Sequence, residues 1–582
     1  MFSKLYWAAI PMALTCASYA QQAKPLPYQD LPDPRTLNKS SWDAVTGPDL
    51  HARFASADIR YEKGSVPDAG SLQSEWQVKA WKGEQVHTQL LIWTTKPLTG
   101  TTVSLLPLQD GKGHTIPSPQ ISASFVRYVM TDELNKDGTG CGFRSNSADF
   151  DSSLVEDAID VVTKQDIPAY TTQPVWLSIK VPSATPAGVY HGAVKVGKIT
   201  LPYQVQVLEH TLPPASKWQY HLDLWQSPYA ISRVYKVKDW SPAHFAVMKP
   251  YMKMLADAGQ KVITTTLIYD PWNGQTEDIY GSMIKWTHER NGSWSYDYTI
   301  FDKWVQFMLD LGISKEINCY SMIPWNLKFW YYDEVAGKDT FIVAKPGSAE
   351  YDAHWRPMLT DFVKHLRAKG WFNITTIAMD ERTMEDMKWT IGLIRSVDKD
   401  FKVSLAGSYH AEIESGLADL CVASAEVIPA DVLAMRKKRG DITTYYTYCH
   451  EGHPNTFTFS PPAEATWLSW YAAMKGFDGY LRWAYNSWVK DPLHDSRFRN
   501  WAAGDTYFVY PGARTSIRFE RLKEGIQDYE KVRLLREEFT RENNTAKLQQ
   551  LDALLAPFQL DALKTQPAAE MVRKAQAGLN EL

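Results

Sequence analysis

Eight short apolar segments recur between residues 219 and 486, and longer amphipathic stretches separate most of them. The segments are QYHLDLWQ, VITTTLIYD, EINCYSMIP, ITTIAMDE, KVSLAG, CVASAEV, DITTYYTY and GYLRWAYN. Intervening stretches such as FAVMKPYMKMLADAG have helical spacing and end in glycine, as helices commonly do. This alternation predicts a (β/α)₈ barrel of the TIM type at residues 213–545, with short fifth and sixth units. A C-terminal helical extension is predicted at residues 546–582.

The region before the barrel has a different pattern. From about residue 42 to residue 210, short runs such as EQVHTQLLIWTT and QPVWLSIKVP alternate apolar and polar residues, and Gly, Pro, Ser and Asp interrupt them. Such spacing predicts an antiparallel β-sandwich over residues 21–212, followed by the Pro-rich linker TLPPASKW. The chain is therefore predicted to be a multidomain protein of the β plus α/β class. The sandwich is interpreted as a brace for the barrel, with carbohydrate binding as the alternative.

The N-terminal sequence MFSKLYWAAIPMALTCASYAQQ resembles a secretory signal peptide. It combines a positive Lys4, a short apolar stretch and a small-x-small cleavage site that ends at Ala20. Cys16 is a weaker candidate for a lipid anchor, because the residues before it fit a lipidation box poorly. No later apolar run reaches the roughly 20 residues that a membrane span requires. These features predict removal of residues 1–20 and export to the periplasm or the extracellular space.

Composition narrows the class of ligand. The formal net charge is -4 without a basic stripe, which argues against nucleic acid as a partner. Aromatic residues make up 13% of the chain, with 23 Trp and 30 Tyr, and such flat side chains with a polar edge suit stacking on sugar rings. The expected partner is therefore a glycan.

The cysteines and histidines give little sign of a metal centre. After residue 20 the chain has Cys141, Cys319, Cys421 and Cys449, and three of these four lie in apolar, strand-like runs where a small apolar residue is the common explanation. The segment CHEGHP, which begins at Cys449, has neither the HExxH spacing nor a helical context. We predict no metal and no cofactor.

Candidate site residues follow from the barrel, because catalytic side chains of such barrels lie at the C-terminal ends of the strands. The fourth segment ends in the adjacent acids Asp380 and Glu381. The ends of the other segments supply the predicted substrate-binding set, which is Trp225, Trp325, Tyr409, Tyr446, Tyr448, Trp483 and Asn486. Aromatic rings around two carboxylates are typical of a glycosidase.

Adjacent acids favour one mechanism over another. In retaining glycosidases the acid and the nucleophile are about 5–5.5 Å apart and come from different strands, whereas neighbours on a strand point to opposite faces. If the strand breaks here, Asp380 can orient a 2-acetamido group, whose own oxygen is the nucleophile, while Glu381 is the acid/base. We expect burial and the neighbouring charge to keep Glu381 protonated and Asp380 ionised. The alternative is that Asp380 merely caps the helix that begins near Thr383.

The same residues carry a family resemblance. MDE at residues 379–381, GYLRWAYNSW, GDTYFVYPG and SIRFERLKEGIQDYE resemble glycoside hydrolase family 123. The resemblance covers the barrel and its C-terminal helices, and the preceding sandwich matches the architecture expected of the family. It implies a retaining β-N-acetylgalactosaminidase with substrate-assisted catalysis, in which Asp380 orients the acetamido group and Glu381 is the acid/base.

Two alternative functions remain open at this point. One is a glycosidase of another specificity, which would use Glu381 with a distant carboxylate as nucleophile, Asp270 being the best-placed candidate. The other is a glycan-binding protein without catalytic activity on a degenerate barrel. The leading prediction is an exported enzyme that acts on glycans with a terminal β-linked N-acetylhexosamine. The sequence leaves the aglycone, the linkage preference and the oligomeric state open.

Overall fold

The computed structural model describes residues 26, 28, 30–144, 146 and 149–582. The predicted signal peptide at residues 1–20, with Cys16, lies outside the described residues. A β-rich N-terminal region precedes an eight-stranded parallel barrel with its C-terminal helices, in the predicted order. The exact domain boundaries stay predictions.

The N-terminal region consists of two sheets that face each other. After the short helix α1 (Lys39–Asp43), its strands are β1 (His51–Ala55), β2 (Trp76–Lys82), β3 (Gln85–Thr94), β4 (Leu98–Leu105), β5 (Leu108–Gln109), β6 (Thr115–Ile116), β7 (Ile121–Thr131), β8 (Ser153–Ile159), β9 (Lys164–Ile167), β10 (Thr171–Lys180), β11 (Gly188–Val196) and β12 (Ile199–Thr211). One sheet has the order β1-β3-β10-β7-β8 and the other β2-β12-β11-β4-β9, and apolar side chains such as Leu90, Val175 and Val205 fill the core that they share. The purely antiparallel prediction is wrong at one place, because β2 pairs with β12 in parallel.

The barrel contains all eight predicted strands. They are β13 (His221–Leu224), β14 (Val262–Thr266), β17 (Glu316–Tyr320), β20 (Thr375–Asp380), β21 (Lys402–Ala406), β22 (Asp419–Ala423), β23 (Ile442–Tyr446) and β24 (Gly479–Arg482). Every pair is parallel, in the order β13-β24-β23-β22-β21-β20-β17-β14. Where β13 and β14 meet, the ladder is reduced to a bridge between Leu222 and Gln260 and one hydrogen bond from the Lys261 N–H to the Leu222 carbonyl at 2.9 Å. The barrel is therefore nearly closed.

Helices surround the barrel and follow it. They are α2 (Pro228–Tyr235), α3 (Pro242–Asp257), α4 (Thr299–Asp310), α5 (Ala349–Lys369), α6 (Met384–Val397), α7 (Ala430–Arg439), α8 (Pro462–Lys475), α9 (Ile517–Arg541), α10 (Thr545–Leu555) and α11 (Ala568–Leu579). Gly370 ends α5 in the left-handed conformation (φ 74°), which confirms the glycine stop signal read from the sequence. The connection from β21 to β22 contains only the 3-10 turn Glu414–Gly416, which explains the short fifth unit. The two-residue strand β25 (Thr515–Ser516), just before α9, pairs with β8 and so joins the barrel to the N-terminal region.

A second sheet on the barrel was not predicted from the sequence. It consists of β15 (Lys285–His288), β16 (Trp294–Asp297), β18 (Lys328–Asp333) and β19 (Lys338–Val343), which are the loops that follow β14 and β17. The buried ring of Trp286 stacks on His354 of α5 at 4.6 Å between ring centroids, so the sheet is held firmly against the barrel. These loops extend the C-terminal side of the barrel.

A disulfide bond joins the N-terminal region to the barrel. Cys141 follows β7 and Cys449 follows β23, and the two lie 308 residues apart in sequence. The interpretation of three cysteines as small apolar residues is correct for Cys319 and Cys421, which are buried free thiols, and wrong for Cys449. Within the CHEGHP segment, His453 already has a partner in the protein, since its Nδ1 lies 2.6 Å from a carboxylate oxygen of Glu464.

Candidate active site

A pocket of about 220 Å³ opens at the C-terminal end of the barrel strands. Its lining residues are Trp225, Trp272, Gln275, Trp325, Asp380, Glu381, Ala406, Tyr446, Thr447, Tyr448, Cys449, Leu481, Trp483, Trp501 and Asp505. Below it, Tyr320, Ala378 and Cys421 form part of a small apolar cluster inside the barrel. The pocket therefore combines carboxylates with aromatic walls on a rigid apolar floor.

The two adjacent acids both line this pocket, and β20 ends at Asp380 as expected. The strand breaks directly after Asp380, which lets Glu381 turn towards the same side. The turn passes close to Gly407, where an added Cβ would lie 3.4 Å from the Cα of Glu381. Helix α6 is capped by Thr383, whose hydroxyl accepts the Asp386 N–H at 3.2 Å, so the interpretation of Asp380 as a mere helix cap is wrong.

Asp380 is the buried acid of the pair, whereas we expected burial of Glu381. Asp380 is 8% exposed, and burial raises the pKa of its carboxyl to about 6, with the cation of Arg382 opposing the rise and the Glu381 charge adding to it. Glu381 is exposed, so the expectation that burial would act on Glu381 is wrong. The strand end points the first carboxyl into the barrel and leaves the second at the pocket mouth.

Arg382 is a functional candidate that the sequence reasoning missed. Its guanidinium forms an ion pair with Asp380 at 2.7 Å, lies 4.0 Å from the ring centroid of Trp325 and donates to the Ile323 carbonyl at 2.7 Å. The only available signal was its place directly after the acid pair. The contacts fix both the Asp380 carboxyl and the Trp325 ring on one wall.

Tyr446, the last residue of β23, forms a hydrogen bond with Glu381. Its hydroxyl donates a hydrogen bond of 2.6 Å to Glu381 Oε1. Burial and the negative charge of Glu381 raise the pKa of the phenol, so Tyr446 remains a neutral donor. This bond orients the Glu381 carboxyl across the pocket.

The remaining walls are aromatic. Trp225 is 4% exposed and its ring lies 4.5 Å from that of Tyr320, while Trp483, directly after β24, meets the ring of Trp501 edge-on at 5.8 Å. Five residues of the predicted substrate-binding set line the pocket, namely Trp225, Trp325, Tyr446, Tyr448 and Trp483.

Two predicted residues lie elsewhere. The Tyr409 side chain packs against the main hydrophobic core, and its backbone N–H donates to Glu426. Asn486 is fully buried and its amide exchanges two hydrogen bonds, of 2.9 and 2.8 Å, with the backbone of Ser227. Asn486 therefore fastens the start of α2 to the loop after β24. Both positions follow a barrel strand, but their side chains turn away from the pocket.

The comparisons with known proteins agree with this geometry. The family model described as the catalytic domain of glycoside hydrolase 123 matches residues 225–535, which is more than half of the chain. This chain belongs to glycoside hydrolase family 123. The family 123 N-terminal domain matches residues 54–198 as well. The protein is therefore a glycoside hydrolase, and the alternative of a glycan-binding protein without catalytic activity is set aside.

One solved structure agrees with this assignment. A family 123 glycoside hydrolase from Clostridium perfringens, described in connection with glycolipid glycan hydrolysis, superposes with a TM-score of 0.82 at 26% identity, over 92% of this chain and 98% of that one. A GH10 xylanase with a bacterial Ig-like domain, from termite gut, has a TM-score of 0.29 at 10% identity over 78% of this chain and 99% of its own. The latter resemblance has no bearing on function. Among curated proteins no relative matches.

For a family 123 enzyme, the location of further carboxylates matters. Asp270 does not line the pocket, and its Oδ1 accepts the Gly274 N–H at 2.9 Å within its own loop, so it is not placed to be a nucleophile. Asp505 does line the pocket but is 2% exposed and ion-paired with the buried Arg482. The sequence reasoning missed Asp505, although it lies in the GDTYFVYPG motif. It also missed Trp272 and Gln275, which share the loop after β14, and Trp501 on a loop far away in sequence.

Metal-binding potential lies away from this pocket. His221, Glu316 and Asp419 place one ligand atom each within 4.8 Å of one another at the other end of the barrel. Among the residues that the structure describes, no helix has both the length and the apolar character needed to cross a membrane.

Proposed function

We propose that this family 123 enzyme is an exported, retaining β-N-acetylgalactosaminidase that uses the 2-acetamido group of its substrate as the nucleophile. The observation that supports the proposal is the pair Asp380 and Glu381 at the end of one strand, where both line the same pocket. Two neighbours on one strand cannot flank an anomeric carbon from opposite faces, as an acid and an enzymic nucleophile must. A nucleophile carried by the substrate removes that requirement.

In the first step, Glu381 donates its proton to the glycosidic oxygen while the acetamido oxygen attacks the anomeric carbon. The bond to the aglycone breaks, and the sugar becomes an oxazolinium ion whose N–H points at Asp380. In the second step, Glu381 takes a proton from water, whose oxygen attacks the anomeric carbon and reopens the ring. Two inversions leave the sugar with its original β configuration.

Each carboxyl needs a different environment for these roles. The ion pair with Arg382 at 2.7 Å favours the ionised form of Asp380, which the positive oxazolinium requires. Glu381 is exposed at the pocket, where it can reach the glycosidic oxygen of a bound sugar. The bond from Tyr446 keeps that acid in position.

The pocket volume supports action on chain ends, and the disulfide bond supports export. A volume of about 220 Å³ suits one terminal sugar rather than an internal stretch of a polysaccharide, so the enzyme is expected to act on chain ends. The bond between Cys141 and Cys449 is typical of proteins in oxidising compartments, which supports export. The likeness to the Clostridium perfringens enzyme favours glycolipid glycans as substrates.

The substrate requirement tests the mechanism directly. We expect 4-nitrophenyl β-N-acetylgalactosaminide to be cleaved at least ~10³-fold more efficiently than the plain β-galactoside, because only the first carries its own nucleophile. Initial-rate measurements of kcat/KM on the two substrates, with the N-acetylglucosaminide as a third, check this. NMR of the first product should show the β anomer.

The competing mechanism predicts a different outcome. It would make Asp505 a covalent nucleophile, because Asp505 is another carboxylate in the pocket lining. A 2-fluoro galactoside should then label Asp505, and the plain galactoside should be cleaved about as well as the N-acetylated sugar. Either result would refute the substrate-assisted proposal.

The environment of Asp380 predicts a pH dependence. Because the pKa of its carboxyl is raised to about 6 and the reaction needs the anion, kcat/KM should fall as the pH drops through about 6. Arg382→Gln removes the cation that opposes this rise, so the acid limb should move to higher pH by ~0.5–1 unit. Arg382→Lys keeps the charge and should shift the limb less. An acid limb that stays in place, or moves to lower pH, in Arg382→Gln would contradict the assignment.

A further inference from the structure

The N-terminal end of the barrel holds a buried polar cluster that the proposed reaction does not use. It consists of His221, Glu316 and Asp419, the first residues of β13, β17 and β22, with exposures of 2%, 7% and 5%. His221 Nε2 lies 3.9 Å from Glu316 Oε2 and 3.8 Å from Asp419 Oδ2. Three strands that are not all neighbours thus direct donor atoms to one point inside the barrel.

The cluster lacks the partners that buried polar groups normally have. His221 Nε2, Glu316 Oε1 and Asp419 Oδ1 are all buried without a hydrogen-bond partner, and so is Oδ1 of Asp223 on the same strand as His221. In the described part of the chain, no Lys or Arg forms an ion pair with these three acids, and the nearby Arg436 pairs with Glu414 instead. Buried polar atoms without a partner are costly, so a ligand that these donor atoms can bind would relieve an unfavourable arrangement.

The chemical type of the three donor groups restricts which ions can bind at this point. His221 offers its buried, unpartnered Nε2, and Glu316 and Asp419 each offer a carboxylate oxygen. One neutral imidazole with two carboxylates suits a divalent transition ion such as Zn²⁺. Ca²⁺ and Mg²⁺ prefer oxygen ligands throughout.

The distances also fit after a small contraction. Ligand atoms at about 2.0–2.2 Å from a tetrahedral ion are about 3.3–3.6 Å apart. The separations of 3.8 and 3.9 Å from His221 Nε2 would have to close by a few tenths of an ångström. The two carboxylate oxygens, which lie within 4.8 Å of each other, would have to come closer as well when the ion binds.

The cluster borders a second cleft that is separate from the sugar pocket. His221 lines a cleft of about 1610 Å³ that the end of the barrel shares with the N-terminal region and α9. On the inner side, Oδ2 of Asp223 accepts the Trp225 indole N–H at 3.3 Å, and Trp225 forms part of the sugar pocket. The cluster thus lies between an open cleft and the floor of the pocket.

We propose that His221, Glu316 and Asp419 bind a divalent transition-metal ion of the Zn²⁺ type, which stabilises the barrel and takes no part in hydrolysis. Such an ion would bind buried donor atoms that have no hydrogen-bond partner. The role is structural because the cluster and the acid pair lie at opposite ends of the barrel.

The test measures metal content and thermal stability rather than activity. The full chain is stripped with EDTA, dialysed, and supplied with Zn²⁺ alone. We expect about one Zn²⁺ per chain by elemental analysis and a melting temperature at least ~3 °C above that of the stripped protein. Glu316→Gln and His221→Gln should each bind Zn²⁺ at least ~10-fold more weakly and lose the thermal shift.

Asp478→Asn is the matched control. Asp478 is a partly buried acid that lines the same cleft outside the cluster, so this variant should keep the bound Zn²⁺. The proposal is overturned if the unmodified chain binds no Zn²⁺ and shows no shift, which decides the matter even if a variant does not fold. It is also overturned if Glu316→Gln retains the metal, because the ion would then bind elsewhere.

Discussion

Glu381→Gln is expected to lower the hydrolysis of natural glycans, which have poor leaving groups, by about 10²–10⁴-fold. An amide cannot donate a proton to the glycosidic oxygen, and alkoxide leaving groups depend on that proton. Aryl glycosides with acidic phenols need little protonation and should retain much more of their turnover. Comparing kcat/KM for 4-nitrophenyl and methyl N-acetylgalactosaminides measures this difference.

Azide provides a second measurement on the same variant. With no base to activate water, the oxazoline should persist in Glu381→Gln, and azide, which needs no base, should attack it and give a β-glycosyl azide. Tyr446→Phe is a useful companion variant, because it keeps the acid and removes only the 2.6 Å bond that orients it. Equal losses on aryl and alkyl substrates, with no azide product, would mean that Glu381 is not the acid/base.

The Asp380→Asn variant is expected to lose activity on every substrate. Its carboxylate is expected to accept the acetamido N–H and to balance the positive charge of the oxazolinium, and cyclisation precedes departure of good and poor leaving groups alike. We expect a fall of about 10²–10³-fold in kcat for both aryl and alkyl substrates, since removal of one preorganised charge partner has effects of that size elsewhere. Azide should give no rescue. Steady-state kinetics on the same two substrates check the prediction.

Stability must be measured beside these kinetics, because Asp380 is buried and paired with Arg382 at 2.7 Å. Asp270→Asn is a matched control, as Asp270 also follows a barrel strand but does not line the pocket. It should keep wild-type kinetics. If Asp380→Asn spared activated aryl glycosides and lost only alkyl ones, the roles of the two acids would be reversed.

The order of strands and helices was predictable, because those signals are local. Apolar strands, helical spacing and the glycine that ends α5 each act within a few residues. The sheet made by β15, β16, β18 and β19 was missed, since its strands come from two barrel loops that are separate in sequence. Pairing across such a gap leaves no local pattern.

The site was predictable only as far as the end of a barrel strand determines whether the next side chains point into the pocket. Trp225 and Trp483 reach the pocket from the positions expected, whereas Tyr409 and Asn486 occupy similar positions but turn away from it. Tyr409 is half-buried against the main core and Asn486 is fully buried. Which way a side chain turns after a strand depends on the loop that follows, and that depends on tertiary contacts. Arg382 shows the same limit, because its role rests on Asp380 together with Trp325, which comes from the loop after β17.

The disulfide bond also constrains how the protein is made. Cys141 is synthesised 308 residues before Cys449, which at about 5–20 residues per second is a delay of roughly 15–60 s. Cys319 and Cys421 are synthesised within that interval, and either could form a non-native disulfide with Cys141. Folding buries both, and burial raises the pKa of Cys319 to about 12, so its reactive thiolate becomes scarce. Correct pairing therefore depends on burial of Cys319 and Cys421 inside the barrel before either can react with Cys141, or on an isomerase where that burial comes too late.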